Sequence, residues 1–380
     1  MSNSLDGKNI VICLDGTGCQ FRENNTNVVK LFRILDRNRD QQIRYYHPGV
    51  GTLGDPDYKT PLGKQITRIL GMAFGRGIIR NIEEAYSFLM ENYQDGDRIY
   101  IFGFSRGSYT ARALAAFIYR CGILESGCQN LIPYAMKLFR SQPPNWEIMA
   151  KFKKTYSRDC SIHFLGLWDS VKTFGWIYNP IFLPNTTNNP SVKIIRHAIA
   201  IDERRSLFQK MLWGKPKNNQ DLKQVWFAGV HGDVGGGFLE QESGLAKISL
   251  KWMIEEARNS GLQINQQEYE FTVLAEGADR YSSPNPLAEL HNSLVGMWRL
   301  LQYVPRIMWD VDKKKKVLKF PNRIREIPNQ AILHESVLER LKSGTYQPQN
   351  LELKTYEPSH VQEALLEKQY SFEPPLCFFK

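Results

Sequence analysis

A chain of 380 residues with 42% hydrophobic and 23% charged residues and a formal net charge of +10 has an ordinary globular composition, long enough for one large domain or two. No apolar run approaches the ~18 residues that cross a bilayer. Ile10 to Leu14 is too short for a signal and leads into Asp15-Gly16 rather than a cleavage site, so a cytoplasmic chain is expected, or one exported without a signal peptide. Six cysteines without a CxxC pair and seven histidines without HExxH point to reduced thiols and to no metal or cofactor.

Apolar runs then recur at long intervals with helical stretches between them. The first, Asn9 to Leu14, ends in Asp15-Gly16-Thr17-Gly18; the second, Ile43 to His47, ends in Pro48-Gly49-Val50-Gly51-Thr52. Ile79, Ile82, Ala85, Tyr86 and Leu89 form one stripe of an amphipathic helix over residues 78–93. Arg98 to Phe102 is a third strand, near-continuously apolar as buried parallel strands are. Gly103-Phe104-Ser105-Arg106-Gly107 follows it directly. Then Ala111, Leu114, Ala115 and Ile118 recur at helical spacing up to a glycine stop at Gly122. A fourth strand, Ser161 to Trp168, ends in Asp169-Ser170, and a fifth, Gln224 to Val230, ends in His231-Gly232-Asp233. Alternating strand and helix predict an α/β protein, α/β-hydrolase-like, with a mostly parallel sheet and helices on both faces. Beyond about residue 265 prolines break the pattern. A catalytic domain is expected over residues 1–300, with 301–380 an extension packed on it or capping it.

The order strand, Gly-x-Ser-x-Gly, helix carries chemistry. A serine hydroxyl attacks well only when a sharp turn holds it out near a base and near backbone N–H donors. A strand-to-helix corner supplies that turn, and the helix start supplies donors and a positive dipole. The bland alternative is a serine that caps the helix. A nucleophile at Ser105 needs a base and an acid to orient it, in the chain order serine, acid, histidine. Asp169 and His231 close later strands in that order, and Asp202 and Asp233 are rival acids. A glycine-rich loop around His231 would let the imidazole reach a serine on another strand. The oxyanion donors are expected from the N–H of Arg106 and from Gly16 or Thr17, with Asp15 bonding its own backbone to stiffen that loop.

These segments also resemble one family. Asp15-Gly16-Thr17, Pro48 to Thr52, Gly103 to Arg112, Gly166 to Val171, Ala200 to Arg205, Gly229 to Gly237 and Leu290 to Leu294 are similar in type and order to the type VI secretion phospholipase effectors of the Tle type and their uncharacterised relatives. The similarity runs from about residue 8 to about 340. The resemblance implies an esterase with Ser105, Asp169 and His231 as its triad, glycerophospholipids or other esters as substrate, and a secretion or immunity partner. A hydrolase fold kept as a silent binding module is the alternative.

Other chemistries fail on particular residues. A phosphatase of the haloacid dehalogenase type needs an aspartate where Cys13 stands. No Gly-Lys precedes Ser or Thr, which removes a Walker site. Gly49 to Gly54 has the letters of a dinucleotide loop, but Pro56 and Pro61 cannot open the required helix. Lys313 to Lys316 with Lys319, Arg323 and Arg325 reads as a solvated loop or hairpin tip, or as a contact to anionic lipid headgroups. No nucleic-acid module is present, and no nucleic-acid partner is expected.

Overall fold

The computed structural model describes residues 7–16, 24–49, 74–141, 143–171, 175–176, 179–180, 183–217, 219–277, 280–296, 298–303, 306–310, 315–319, 324–328 and 331–351. Seven parallel strands form its central sheet: β1 (Asn9–Leu14), β2 (Gln42–His47), β3 (Arg98–Phe104), β4 (Ile162–Trp168), β5 (Val192–Ala200), β6 (Asp221–Phe227) and β7 (Ile332–Leu333). Their spatial order is β7-β6-β5-β4-β3-β1-β2. β2 lies on one side of β1 and every later strand on the other. The order therefore reverses between β1 and β3, where an open α/β sheet forms its ligand crevice.

Both faces of the sheet are covered. Along β1 successive side chains alternate, as strand geometry requires. Ile10, Ile12 and Leu14 join one core cluster with α2 (Phe74–Asn92) and α3 (Arg106–Cys121), while Val11 and Cys13 join another with α1 (Asn27–Ile34) and α5 (Gly244–Arg258). Each such aliphatic side chain taken from water stabilises the fold by roughly 1.5–3 kcal/mol. The stripe expected on the helix over 78–93 is buried in α2, and α3 stops at Gly122, whose φ is 70°. A third cluster joins Ile199 and Trp226 of the sheet to Leu333, Val337, Leu338, Tyr346 and Leu351, so the segment 331–351 packs on the edge that β7 extends. Arg306–Asp310 and Lys315–Lys319 form a separate antiparallel hairpin. Residues 311–314, with Lys313 and Lys314, lie outside the described residues, as does Arg323.

Two details depart from the sequence reading. β5 was not anticipated, because Lys193, Arg196 and His197 interrupt its apolar pattern. Arg196 resolves the conflict by pairing with Asp221 at 2.5 Å and Glu256 at 2.5 Å. β6 ends three residues early, at Phe227, and Gly229 (φ 115°) turns the chain so that His231 opens α4, a short helix at His231–Gly235. The histidine is therefore held by a helical turn, not carried on a free glycine loop.

Gly107 sets how closely α3 approaches β1. A Cβ there would lie 2.2 Å from the Leu14 carbonyl oxygen and 2.4 Å from that of Asp15, and backbone cannot yield as a flexible side chain does. We expect Gly107→Ala to cost roughly 1–3 kcal/mol, read as a lower urea midpoint. An unchanged midpoint would mean that this approach is looser than described.

Candidate active site

Ser105 occupies a backbone conformation that few non-glycine residues adopt, φ 58° and ψ −119°, between the last residue of β3 and the first of α3. The glycines on either side make that corner possible: a Cβ on Gly103 would meet the Gly107 carbonyl oxygen at 2.5 Å. The Ser105 hydroxyl makes no cap bond to α3, so the bland role is not the one it plays. Its N–H donates to the Trp168 carbonyl at 2.9 Å, which ties the corner to the end of β4. The next residue of β4's chain is Asp169.

Asp169 is fully buried with φ 37°, and four donors meet its carboxylate. The Ala200 N–H (3.0 Å) and Arg325 Nη1 (2.6 Å) donate to Oδ1; Arg325 Nη2 (3.0 Å) and His231 Nδ1 (2.5 Å) donate to Oδ2. Burial would raise its pKa, but the Arg325 guanidinium and then His231 overcome that penalty and hold the carboxyl well below the usual range. The imidazole of His231 is gripped on several sides. Its backbone N–H donates to Glu203 Oε2 at 3.1 Å. Its ring packs against Phe104, the chain neighbour of Ser105, at 4.6 Å between centroids, and edge-on against Phe208 at 4.8 Å. Burial lowers its pKa, and Asp169 only partly offsets that, so the ring is neutral at pH 7. With Nδ1–H assigned toward the carboxylate, Nε2 is the basic nitrogen.

The rival acids serve other groups. Asp202 Oδ2 accepts from the Gly229 N–H and the Tyr346 hydroxyl, each at 2.7 Å, and burial pushes its pKa up to about 6. Asp233 accepts from the Val230 N–H at 2.9 Å and pairs with His291 Nδ1 at 2.6 Å. Asp15 bonds its own backbone as anticipated: Oδ1 accepts from the Gly16 N–H at 2.7 Å, while Oδ2 accepts from Thr26 and Tyr46 hydroxyls at 2.8 Å each. That bond occupies the Gly16 N–H. Thr17 lies outside the described residues, as do 50–73, which follow β2, and 172–174, which follow Val171. Arg106 is the first residue of α3, so its N–H lies at the positive end of that helix.

Beneath the site the Ser170 hydroxyl bonds those of Ser108 and, through Nε at 3.2 Å, the buried Arg112, while the Ser170 N–H donates to His197 Nε2 at 3.2 Å. Among the described residues no group of three His, Cys, Asp or Glu side chains is placed to hold a metal ion, and no helix is long and apolar enough to cross a membrane. The four described cysteines are free.

Two residues escaped the sequence reading. Arg325, grouped there with a solvated basic run, is only 7% exposed and grips Asp169. Its neighbour Ile324 is itself exposed, so the adjoining sequence gives no signal that it turns inward. Glu203 sits in Ala200 to Arg205, a segment noted for its resemblance, in which Asp202 alone was given a role.

A model of the family described as "T6SS, Phospholipase effector Tle1-like, catalytic domain" matches residues 8–256. An uncharacterized protein of Saccharomyces cerevisiae, YEL023C, is 37% identical over 228 residues, covering 55% of this chain and 33% of the yeast protein. A crystal structure of an uncharacterized protein from Pseudomonas aeruginosa aligns with a TM-score of 0.39 at 18% identity, covering 68% of this chain and 46% of the other. The Tle1 effector bound to the VgrG spike from the type 6 secretion system aligns at 0.38 and 20% identity, covering 63% and 53%. This chain spans a third of the yeast relative and about half of each solved chain.

Proposed function

The chain belongs to the family of Tle1-like phospholipase effector catalytic domains, and on that premise we propose that it is a serine hydrolase cleaving carboxylic esters of glycerophospholipids. One observation carries the reading: a serine at positive φ, on a strand-to-helix corner, donates its N–H to Trp168, the residue before Asp169, and the buried Asp169 pairs with His231.

In this mechanism Ser105 Oγ attacks the ester carbonyl carbon and its proton passes to His231 Nε2. Asp169, an anion throughout, stabilises the imidazolium and fixes the ring. The negative charge forming on the carbonyl oxygen is met by the Arg106 N–H and a second N–H from the loop after β1. With the Gly16 N–H bonded to Asp15, Thr17 is our candidate for that second donor. Each such donor contributes about 3–4 kcal/mol to the transition state. Collapse expels the lysolipid alcohol, which takes the proton from Nε2. Water then attacks the acyl-enzyme and gives a proton to His231 Nε2, which passes it to Ser105 Oγ as the serine leaves and the fatty acid forms.

The test is mass spectrometry of phospholipid vesicles incubated with the wild type. The proposal expects free fatty acid and lysolipid in equal amounts, and neither with His231→Gln. Intact lipid with every headgroup tried would replace this reading with that of a silent binding module. Phosphate-containing headgroup products without fatty acid would replace it with phosphodiester cleavage.

A further inference from the structure

Arg325 is set apart by where it comes from and what it holds. It lies outside the 8–256 match, in a segment tied down by Asn350, whose side-chain amide donates to the Arg325 carbonyl at 2.9 Å and to that of Ile201 at 3.0 Å. Its guanidinium takes both oxygens of Asp169 in a fork, the strongest and most directional form of this contact. The same two nitrogens also donate to the Ala200 carbonyl at 2.9 Å and the Phe208 carbonyl at 2.7 Å. One side chain thus fixes the acid, the end of β5, and the segment whose ring lies against the imidazole.

We propose that Arg325 is a positioning residue that orients Asp169 for His231 and sets the proton affinity of that pair. The inference rests on the hydrolase reading given above. An isolated buried aspartate would hold a proton itself or stabilise the imidazolium so strongly that the histidine was already protonated before substrate arrived. The guanidinium works against both: it keeps Asp169 ionised and shares the carboxylate's charge, adding to burial and to the Arg205 charge in holding the imidazole neutral until the substrate's oxyanion forms. Other charges face the pair as well. Glu203 and Arg205 stand on the loop after β5, paired with each other at 2.8 Å. Asp233 lies two residues beyond His231 and is occupied by His291. Arg112 and His197 approach from below through Ser170. Among these described groups Arg325 is the cation with both nitrogens on the Asp169 carboxylate.

The sign follows. His231's pKa lies below its ordinary 6.5, so the acid limb of kcat/KM, which reports the free enzyme, lies below that pH, activity being lost as the ring takes its proton. Removing the cation raises the proton affinity of the pair and moves the limb upward. We expect Arg325→Gln to lower kcat by about 10–100-fold with little change in KM, the cost of a slightly misplaced catalytic group. Arg325→Lys keeps the charge without the fork: its limb should stay near that of the wild type while kcat recovers only in part. This variant covers the case in which Arg325→Gln does not fold. An NMR titration of the His231 ring needs no substrate, so it separates failure of this inference from failure of the hydrolase reading. The wild-type ring should titrate below 6.5, the Arg325→Gln ring higher. Unchanged kcat, acid limb and ring titration in folded variants, with only the melting temperature lowered, would reduce Arg325 to a structural clamp.

Discussion

Ser105→Ala should fold as the wild type does and lose hydrolysis by about 10⁶-fold in kcat, the scale seen when a triad nucleophile is removed from a serine protease. The reasoning is local. Alanine fits the same space, but the Oγ that would form the acyl-enzyme is gone, and no described side chain stands in for it on the corner between β3 and α3. The backbone strain at φ 58° remains, so stability should change little. KM should change little as well, because the oxyanion donors and the crevice are untouched. A residual rate near the background expected of binding and oxyanion donors alone is compatible with the account; a rate within tenfold of the wild type is not.

Asp169→Asn should lower kcat by about 10⁴-fold. An amide in place of the carboxylate can turn its NH2 toward His231 Nδ1 and favour the wrong tautomer, and it cannot stabilise the imidazolium. This substitution has a second effect that Ser105→Ala lacks. Arg325 would be left as a buried cation without its counter-charge, a defect worth about 3–5 kcal/mol. Activity therefore has to be read well below the variant's melting temperature, with circular dichroism confirming the fold. Asp202→Asn and Asp233→Asn provide the contrast. Their carboxylates serve Gly229 with Tyr346, and Val230 with His291, so their effect on kcat should be far smaller. Should Asp169→Asn retain full activity while either of these loses it, the acid has been misassigned.

Much of this arrangement was legible in the amino-acid sequence because the residues concerned have to satisfy local rules. β1 and β3 are buried on both faces and cannot carry polar side chains in their middles, so they stand out as apolar runs. The corner at Ser105 needs small neighbours, and Gly103 and Gly107 announce it. Asp169 and His231 each stand just past an apolar strand, where a parallel sheet places its reactive groups. What stayed hidden depends on partners distant in the chain. β5 looked too polar until Arg196 found Asp221 on the neighbouring strand β6 and Glu256 on helix α5. Arg325 looked like one more surface cation, since nothing in its vicinity reveals that a carboxylate 156 residues earlier would be waiting for it. The choice among Asp169, Asp202 and Asp233 was likewise open, since all three lie near strand ends and only spatial pairing tells them apart.

The proposed catalytic serine is most directly tested by reaction with a fluorophosphonate probe followed by peptide mass spectrometry. The account predicts a single adduct on the tryptic peptide Ile99–Arg106, which contains Ser105, slowed strongly in Asp169→Asn and absent in Ser105→Ala. A wild type that hydrolyses phospholipid yet takes no label there, or that carries the label on another residue while Ser105→Ala still turns over, would contradict it.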